Sequence, residues 1–444
     1  VIRLPRLPEL LALALLAGCG ADAPPDDATP GPAPAPDAAA PGDATPDRPE
    51  DDASAPPSDT TTEPEVDTRP LRPNVQADRA PNAPDQVPAF AEQTRAPQPP
   101  APTAFRTEVI ASGLGIPWGI APLPDGRMLV TERTGTLRLV AADGTVGAPL
   151  AGVPQVAAAG QGGLLDVVVS PDFAQDRHVF LTFSEAREGN TTAAAVARGT
   201  LSADGTRLDD LQVLHRQEPP RPENRHYGSR MVFDREGHLF VTFGDRGGAF
   251  EDTQNPFNSI GAVIRIRPDG TIPADNPFAD GTAGDPAVWS WGHRNIQSAT
   301  LGLDGALWTV EHGPQGGDEL NRPEPGVNYG WPIITYGVNY GGRPVGQGLT
   351  EQEGLAQPVY YWDPVIAPSG MVTYTGGLFP GWEGDLLIGG LQAQALVRLS
   401  LRDGLIHTEE WLPLGVRVRS VALARDGAVL AGTDEGEILA LRPE

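Results

Sequence analysis

The chain of 444 residues contains no lysine, one cysteine and no long apolar run. A single thiol excludes a disulfide framework and any cysteine-based metal cluster. Without about 18 consecutive apolar residues, nothing in the sequence spans a membrane as a helix. Positive charge is scarce: 32 arginines face 58 acids, for a net charge of −26. That balance argues against a protein that tracks nucleic-acid phosphates, which needs a basic face. No His-Glu-x-x-His spacing supports a zinc site, and residues 105–444 lack sustained 3.6-residue apolar periodicity. What is plentiful is Gly, with 53 residues, and Pro, with 48. Proline stands at roughly twice its usual ~5% share and is unevenly placed.

The N-terminal segment has signal-peptide anatomy: Arg3 and Arg6, then the apolar run Leu10 to Ala17. It ends in Leu16-Ala17-Gly18-Cys19, which resembles the bacterial lipobox. The resemblance implies an exported protein whose residues 1–19 are a signal and whose Cys19 is acylated as a membrane anchor. Gly20 after the cysteine favours the outer membrane, facing the periplasm or the cell surface. Residues 20–104 hold 21 prolines, with Ala, Asp and Thr making up much of the rest. Such a composition buries too little apolar surface to offset ordering entropy, so the whole segment is expected to be a disordered spacer. Residues 1–104 carry 17 acids against 7 arginines, and residues 105–444 carry 41 against 25, so both parts are acidic.

The last 340 residues repeat one pattern six times: a turn, a β-run, then small or polar residues. The copies include PDGRMLVTERTGTLRLV, RHVFLTFSE, REGHLFVTFGDRG, LDGALWTVEHGPQGG, GDLLIGGLQAQALVRLS and RDGAVLAGTDEGEILAL. Asp-Gly or Glu-Gly before a β-branched and aromatic run is a hairpin signal. Matching positions Leu129, Phe180, Phe240, Trp308, Leu387 and Leu430 are spaced by 51, 60, 68, 79 and 43 residues, which suits four-stranded blades of ~40–50 residues with insertions. The spacing predicts an all-β, six-bladed β-propeller, which protects its strand edges by radial closure. A β-sandwich accommodates six equivalent hairpins poorly. Ligands of a propeller sit at one mouth of its channel, so polar residues at strand ends become the candidates.

His226 lies just before one β-run and Asp245 just after the next. A carboxylate that holds a histidine makes a general base, although a lone histidine at a strand end is more often structural. Arg417 and Arg419, two apart on a strand, share one side of it. With Arg294 they form a candidate guanidinium cluster for an anion with several carboxylates, the alternative being surface cations or structural pairs. Asp318 and Glu319 are candidate calcium ligands after a Gly-rich turn, or else a solvated acidic loop.

GQGGLLDVVVSPDF, His226 in its context, VTFGDRG, GHRNIQ, EHGPQGGDELN, NYGWP and RVRSVALARDG occur in this order. Together they resemble the soluble aldose sugar dehydrogenases that use pyrroloquinoline quinone, over residues 105–444. The resemblance implies a dehydrogenase that oxidises aldose sugars at the anomeric hydroxyl, with that quinone and calcium (Ca2+) as cofactors. In that reading His226 is the base and Asp245 orients it. Gln161, Arg294, Tyr340, Arg417 and Arg419 contact the cofactor. Main-chain oxygens of Gly313 and Pro314 hold the active-site calcium; Glu319 and the carbonyl of Tyr329 belong to a second, structural calcium site. One departure stands out: the family commonly places a Lys in the loop that here reads GGLQAQALV, where Gln392 stands. Two other readings compete, a calcium-dependent propeller lactonase and a non-catalytic carbohydrate-binding propeller. The sugar and the electron acceptor are not legible in the sequence.

Overall fold

A computed structural model describes residues 69–444. The signal segment with Cys19, and residues 20–68 of the expected spacer, lie outside the described residues. Among the described residues, six sheets follow one another along the chain, each with antiparallel consecutive strands. Their first strands are Pro117–Pro122, Leu164–Val169, Met231–Phe233, Ile296–Leu301, Pro368–Thr373 and Val418–Leu423. Each packs against the next and the sixth against the first, so the six form the inner ring of a six-bladed propeller. The wheel is closed by its first and last strands: Phe105–Ala111 pairs antiparallel with Ile438–Pro443 as the outermost strand of blade 6.

The six positions marked by the sequence repeat all fall on second strands, facing inner-strand partners. Leu129 pairs with Ala121, Phe180 with Val168, Phe240 with Val232, Trp308 with Thr300, Leu387 with Val372, and Leu430 with Ala422. Second strands such as Met128–Glu132, Leu307–Glu311 and Val429–Thr433 are buried throughout, because neighbouring blades cover both their faces. The turns that deliver them use glycine at positive φ, with Gly126, Gly305 and Gly427 at +89°, +83° and +86°. In each turn the preceding aspartate (Asp125, Asp304 or Asp426) accepts the backbone N–H two residues on.

Neighbouring blades are stitched by hydroxyl groups on their first or second strands. Thr131 donates to the Leu165 carbonyl, Thr182 to Ser229, Thr242 to Ile296, Ser298 to Ser369, Ser369 to Val418, and Ser420 to Pro117. The circuit passes through all six blades and returns to its start. Arg230, buried at the head of blade 3, donates across the channel to the carbonyls of Trp118, Gln297 and Arg419 and to Asp166 Oδ1. Its guanidinium also lies 4.0 Å from the centroid of the Trp118 ring. Burial pushes the Arg230 pKa down and the Asp166 pKa up, so each charge depends on the other.

Residues 69–104 do not behave as a spacer. They lie against the outer strands of blades 4 and 5, with Glu409 N–H donating to the Pro97 carbonyl (2.9 Å) and Thr94 bridging in parallel to Tyr361. Few large apolar groups are involved, which is why composition pointed to disorder; the contacts are mainly backbone and amide hydrogen bonds.

Replacing Arg230 by Met strands Asp166 as a buried charge and leaves three carbonyls without their donor. The expected cost is about 3–5 kcal/mol, read from the denaturant midpoint; an unchanged midpoint contradicts the role given to this residue.

Candidate active site

In an antiparallel blade the start of the inner strand and the end of the second strand lie at the same face of the wheel. Gln161, His226, Arg294 and Arg417 precede or open inner strands, whereas Arg133, Asp245, Gly313 and Asp434 follow second strands. The topology therefore brings eight residues from five blades to one mouth. Register shifts occur at this end of the inner strands, at Pro117/Gly119, Leu164/Val167, Ile296/Ser298, Pro368/Met371 and Val418/Ser420. Bulges of this kind re-aim side chains next to functional sites.

His226 Nδ1 is 2.7 Å from Asp245 Oδ1. Asp245 is wholly buried, and it also accepts Gly247 N–H on Oδ1 (2.7 Å) and Trp331 Nε1–H on Oδ2 (2.9 Å). With the carboxylate ionised, Nδ1 carries the ring proton and Nε2 is left as the acceptor. Burial lowers the His226 pKa, the charge of Arg294 lowers it further, and the hydrogen bond that His226 donates to Asp245 only partly offsets them. Burial raises Asp245, but hydrogen bonding and charge from His226, together with Arg294, outweigh it and hold the acid below its ordinary value. A neutral base beside an ionised acid is the result.

Positioning the histidine requires strained backbone. His226, Ser229 and Arg246 have φ of +52°, +81° and +59°, a region that costs a non-glycine residue on the order of 1–3 kcal/mol. Specific bonds hold it: Gln161 Oε1 accepts the His226 N–H (2.8 Å), and Ser229 N–H donates to the Thr242 carbonyl (2.6 Å). Arg246 lies 4.0 Å from the Tyr227 ring centroid and donates to the carbonyls of Thr192 and Glu223. Gln161, expected at a cofactor, thus uses its carbonyl oxygen on the base.

Arg294 is buried against Trp331, its guanidinium carbon 5.2 Å from the ring centroid, and donates to the His312 carbonyl (3.0 Å). Its Nε is buried without a hydrogen-bond partner. An orphaned guanidinium N–H at the mouth fits a carboxylate-bearing ligand. Arg417 and Arg419 are shared by one acid, each donating to Asp434 at 2.8–3.0 Å. His312 is pushed down to about 3 by burial and by the charges of Arg294, His226 and Arg419, so these groups act on one point.

The turn after the second strand of blade 4 is rich in carbonyl oxygen. A Cβ at Gly313 would meet the oxygens of Gly317 at 2.1 Å and Gly316 at 2.4 Å. A cradle of main-chain oxygens, filled by any side chain there, suits a hard cation. Asp318 is not a ligand in this arrangement: its carboxylate accepts the N–H groups of Gly313, Ile366 and Ala367. Burial nevertheless pushes it up to about 7. Glu319 is raised well above the ordinary range by burial and by facing Glu311; in a small recess lined also by His312 and Gly313, the two carboxylates stand beside Arg294. Glu311 itself holds His293 Nδ1 (2.9 Å), and His293 stacks on Tyr329 with centroids 4.6 Å apart. The acid pair fits a cation that would relieve its repulsion.

Tyr340 is 80% exposed, on a loop joined to the Gly313–Gly317 turn through the Gln315–Val338 bridge. Gln392 is exposed as well. Arg398, the arginine nearest it in sequence, is committed to Asp385 and Glu410 and takes no part. Sequence reasoning missed Arg133, Glu311, His312 and Trp331. Arg133 donates to the Gly160 carbonyl (2.9 Å), and its pKa is lowered by burial and by Arg419. The available signal was position: Arg133, Glu311 and His312 each end or follow a buried second strand.

Residues 114–440 match the family described as Glucose / Sorbosone dehydrogenase. The aldose sugar dehydrogenase YliI of Escherichia coli (strain K12) is 40% identical over 355 residues, covering 77% of this chain and 94% of that protein. A crystal structure of a glucose dehydrogenase has a TM-score of 0.73 at 42% identity, covering 76% of this chain and 99% of its own. The PQQ-bound form of the aldose sugar dehydrogenase (Adh) from Streptomyces coelicolor has a TM-score of 0.62 at 28% identity, covering 78% and 100%. Residues 69–104 lie outside the family match.

The folded chain favours neutral His226. Its contribution to stability is therefore present above pH 6.5, the ordinary histidine value, and is lost as pH falls toward the folded-state value. Ring-proton NMR is expected to place the His226 midpoint below 6.5; a midpoint at or above it contradicts the burial argument.

Proposed function

The chain belongs to the glucose/sorbosone dehydrogenase family, and on that premise we propose that it oxidises the anomeric hydroxyl of an aldose to the lactone, with pyrroloquinoline quinone and calcium as cofactors. The observation that carries this reading is the bond between His226 Nδ1 and buried Asp245 (2.7 Å), next to an Arg294 Nε that has no partner. His226 Nε2 takes the proton of the anomeric hydroxyl as the C–H bond breaks, and Asp245 stabilises the imidazolium that forms. Trp331 and Gly247 hold Asp245 in place by their N–H groups. Arg294, Arg417 and Arg419 meet the carboxylates of the cofactor, and Arg133 adds positive charge beside Arg419. Main-chain oxygens of Gly313 and Pro314 hold the active-site calcium, while Glu319 and the Tyr329 carbonyl serve a second calcium. Bound at this mouth, the quinone supplies a two-electron hydride acceptor and calcium a Lewis acid that polarises its carbonyl.

The hydrolase reading asks for a metal centred on side-chain carboxylates at the channel. Among the described residues, the one group of three metal-ligating side chains is Asp234, Glu236 and His238. It lies in the turn at the opposite face, where Arg265 already pairs with Asp234 and His238. The orphaned Arg294 Nε gives the dehydrogenase reading the better support.

Purified full-length chain, supplied with calcium and pyrroloquinoline quinone, should reduce an artificial electron acceptor when an aldose is added. His226→Gln should lower that rate about 10²–10⁴-fold, the usual cost of losing a general base. Full activity in the variant, or lactone hydrolysis without the quinone, overturns the reading.

We further propose export and lipid anchoring at Cys19, with the wheel displayed at the outer membrane. Cys19→Ala should release the protein from the membrane fraction; retention of the variant contradicts the anchor.

A further inference from the structure

The segment 69–104 forms a strap with a definite path. It is drawn into a closed loop where Arg72 and Gln98 exchange backbone hydrogen bonds of 3.1 and 2.9 Å. Asn74 ties that loop to the Ala96 carbonyl (2.6 Å) and to Glu409 of blade 5 (2.9 Å). On blade 4, Thr94 donates to the Tyr361 carbonyl and Gln93 to the Pro358 carbonyl, while Ala96 N–H donates to the Tyr360 hydroxyl. At its innermost point the strap places two consecutive backbone donors on one acid. Asn82 and Ala83 N–H bind the two oxygens of Asp363 at 2.7 and 2.9 Å, and Arg95 donates to the Asp363 carbonyl at 2.8 Å.

Asp363 is buried and faces the Gly313–Gly317 turn. A Cβ on Gly316 would stand 2.7 Å from Asp363 Oδ1 and 3.4 Å from the Cβ of Asn82. Gly317 N–H donates to the carbonyl of Trp362, the residue before Asp363 (2.9 Å). The oxygens of Gly316 and Gly317 in turn press on Gly313. One contiguous path therefore runs from the strap amides, through Asp363, to the carbonyl cradle at the mouth. A strap that only covered strand edges would need contacts with Tyr361 and Glu409, but no bidentate clasp on an acid set against that turn.

We infer that residues 69–104 are a positioning brace for the Gly313–Gly317 turn, so that the affinity of the mouth for calcium depends on the docked strap. The inference rests on the calcium reading above. It assigns to a segment outside the family match a direct hold on the chemistry of the matched part.

The test uses the full-length chain. Asn82→Pro with Ala83→Pro removes both donors; Asp363→Asn is the milder change from the blade side. Thr103→Ala is the control, since it cuts a strap contact to Glu410 on blade 5. Calorimetric titration of Ca2+ in the presence of pyrroloquinoline quinone should show affinity about 10-fold weaker or more in the first two variants. The Thr103 control should match the parent. Hydrogen exchange of the cofactor-free proteins should show Gly313, Gln315 and Gly317 amides opening faster in the first two only. Parent-like affinity and exchange in the double-proline variant overturn the brace. If the parent itself binds no calcium, the calcium reading fails, and faster exchange at these amides still upholds the brace while unchanged exchange rejects it. Should the variants not fold, the parent decides: amides 82, 83, 313 and 315–317 must open as one unit under mild denaturant, and independent opening overturns the inference.

Discussion

Closing six inner strands around a channel leaves buried backbone groups that no neighbouring strand of their own sheet can reach. The ring of threonine and serine hydroxyls, each donating to a carbonyl of the next blade, is the constraint from which the rest follows. Each bond is worth only about 1 kcal/mol net, but a buried carbonyl left without a donor costs more than the bond contributes. Arg230 extends the same logic across the channel, joining carbonyls of blades 1, 4 and 6 to the carboxylate of Asp166 in blade 2. The ring fixes the phase between blades, and phase decides which loops meet at the mouth.

The base is built directly on that ring. Ser229, whose carbonyl accepts Thr182, closes the turn that begins at His226, and its N–H returns to Thr242, which itself bonds the next blade. Strain at His226, Ser229 and Arg246 persists because these bonds hold the turn from both sides. The histidine is thereby kept half-buried, neutral and bonded to an ionised acid, a state that a flexible loop would not maintain. Around it, positive charge from Arg133, Arg294, Arg417 and Arg419 is only partly met by Asp434 and Asp245. Glu311 and Glu319 add carboxylates beside Arg294, so the mouth offers guanidinium groups to an anionic ligand and acids to a cation within one site.

The fold was legible because second strands are buried on both faces, which forces the near-continuous apolar runs that repeat at Leu129, Phe180, Phe240, Trp308, Leu387 and Leu430. His226 and Asp245 were legible because they flank the two strands of a single blade, only 19 residues apart. Trp331 was not, because the carboxylate it serves lies 86 residues away and in a different stretch of loop. Asp318 looked like a cation ligand beside Glu319, but the N–H of Gly313 in its own turn and those of Ile366 and Ala367 from a distant segment consume its oxygens. The strap misled composition most. Its prolines suppress regular structure, and its docking depends on Asn74, Gln93, Thr94 and bare amides, none of which leaves an apolar pattern. Polar docking to a surface that is itself distant in sequence has no local signature.

A mouth lined with arginines, with its oxygen-lined turn, is proposed to take a carboxylated quinone together with calcium. The most direct measurement is a spectroscopic titration of the metal-free chain with pyrroloquinoline quinone, before and after calcium is added. Saturable binding at one quinone per chain is expected in the presence of calcium, reversed by a chelator and weakened when Arg294 is changed to Met. Absence of saturable binding, or binding indifferent to both calcium and Arg294, would contradict it.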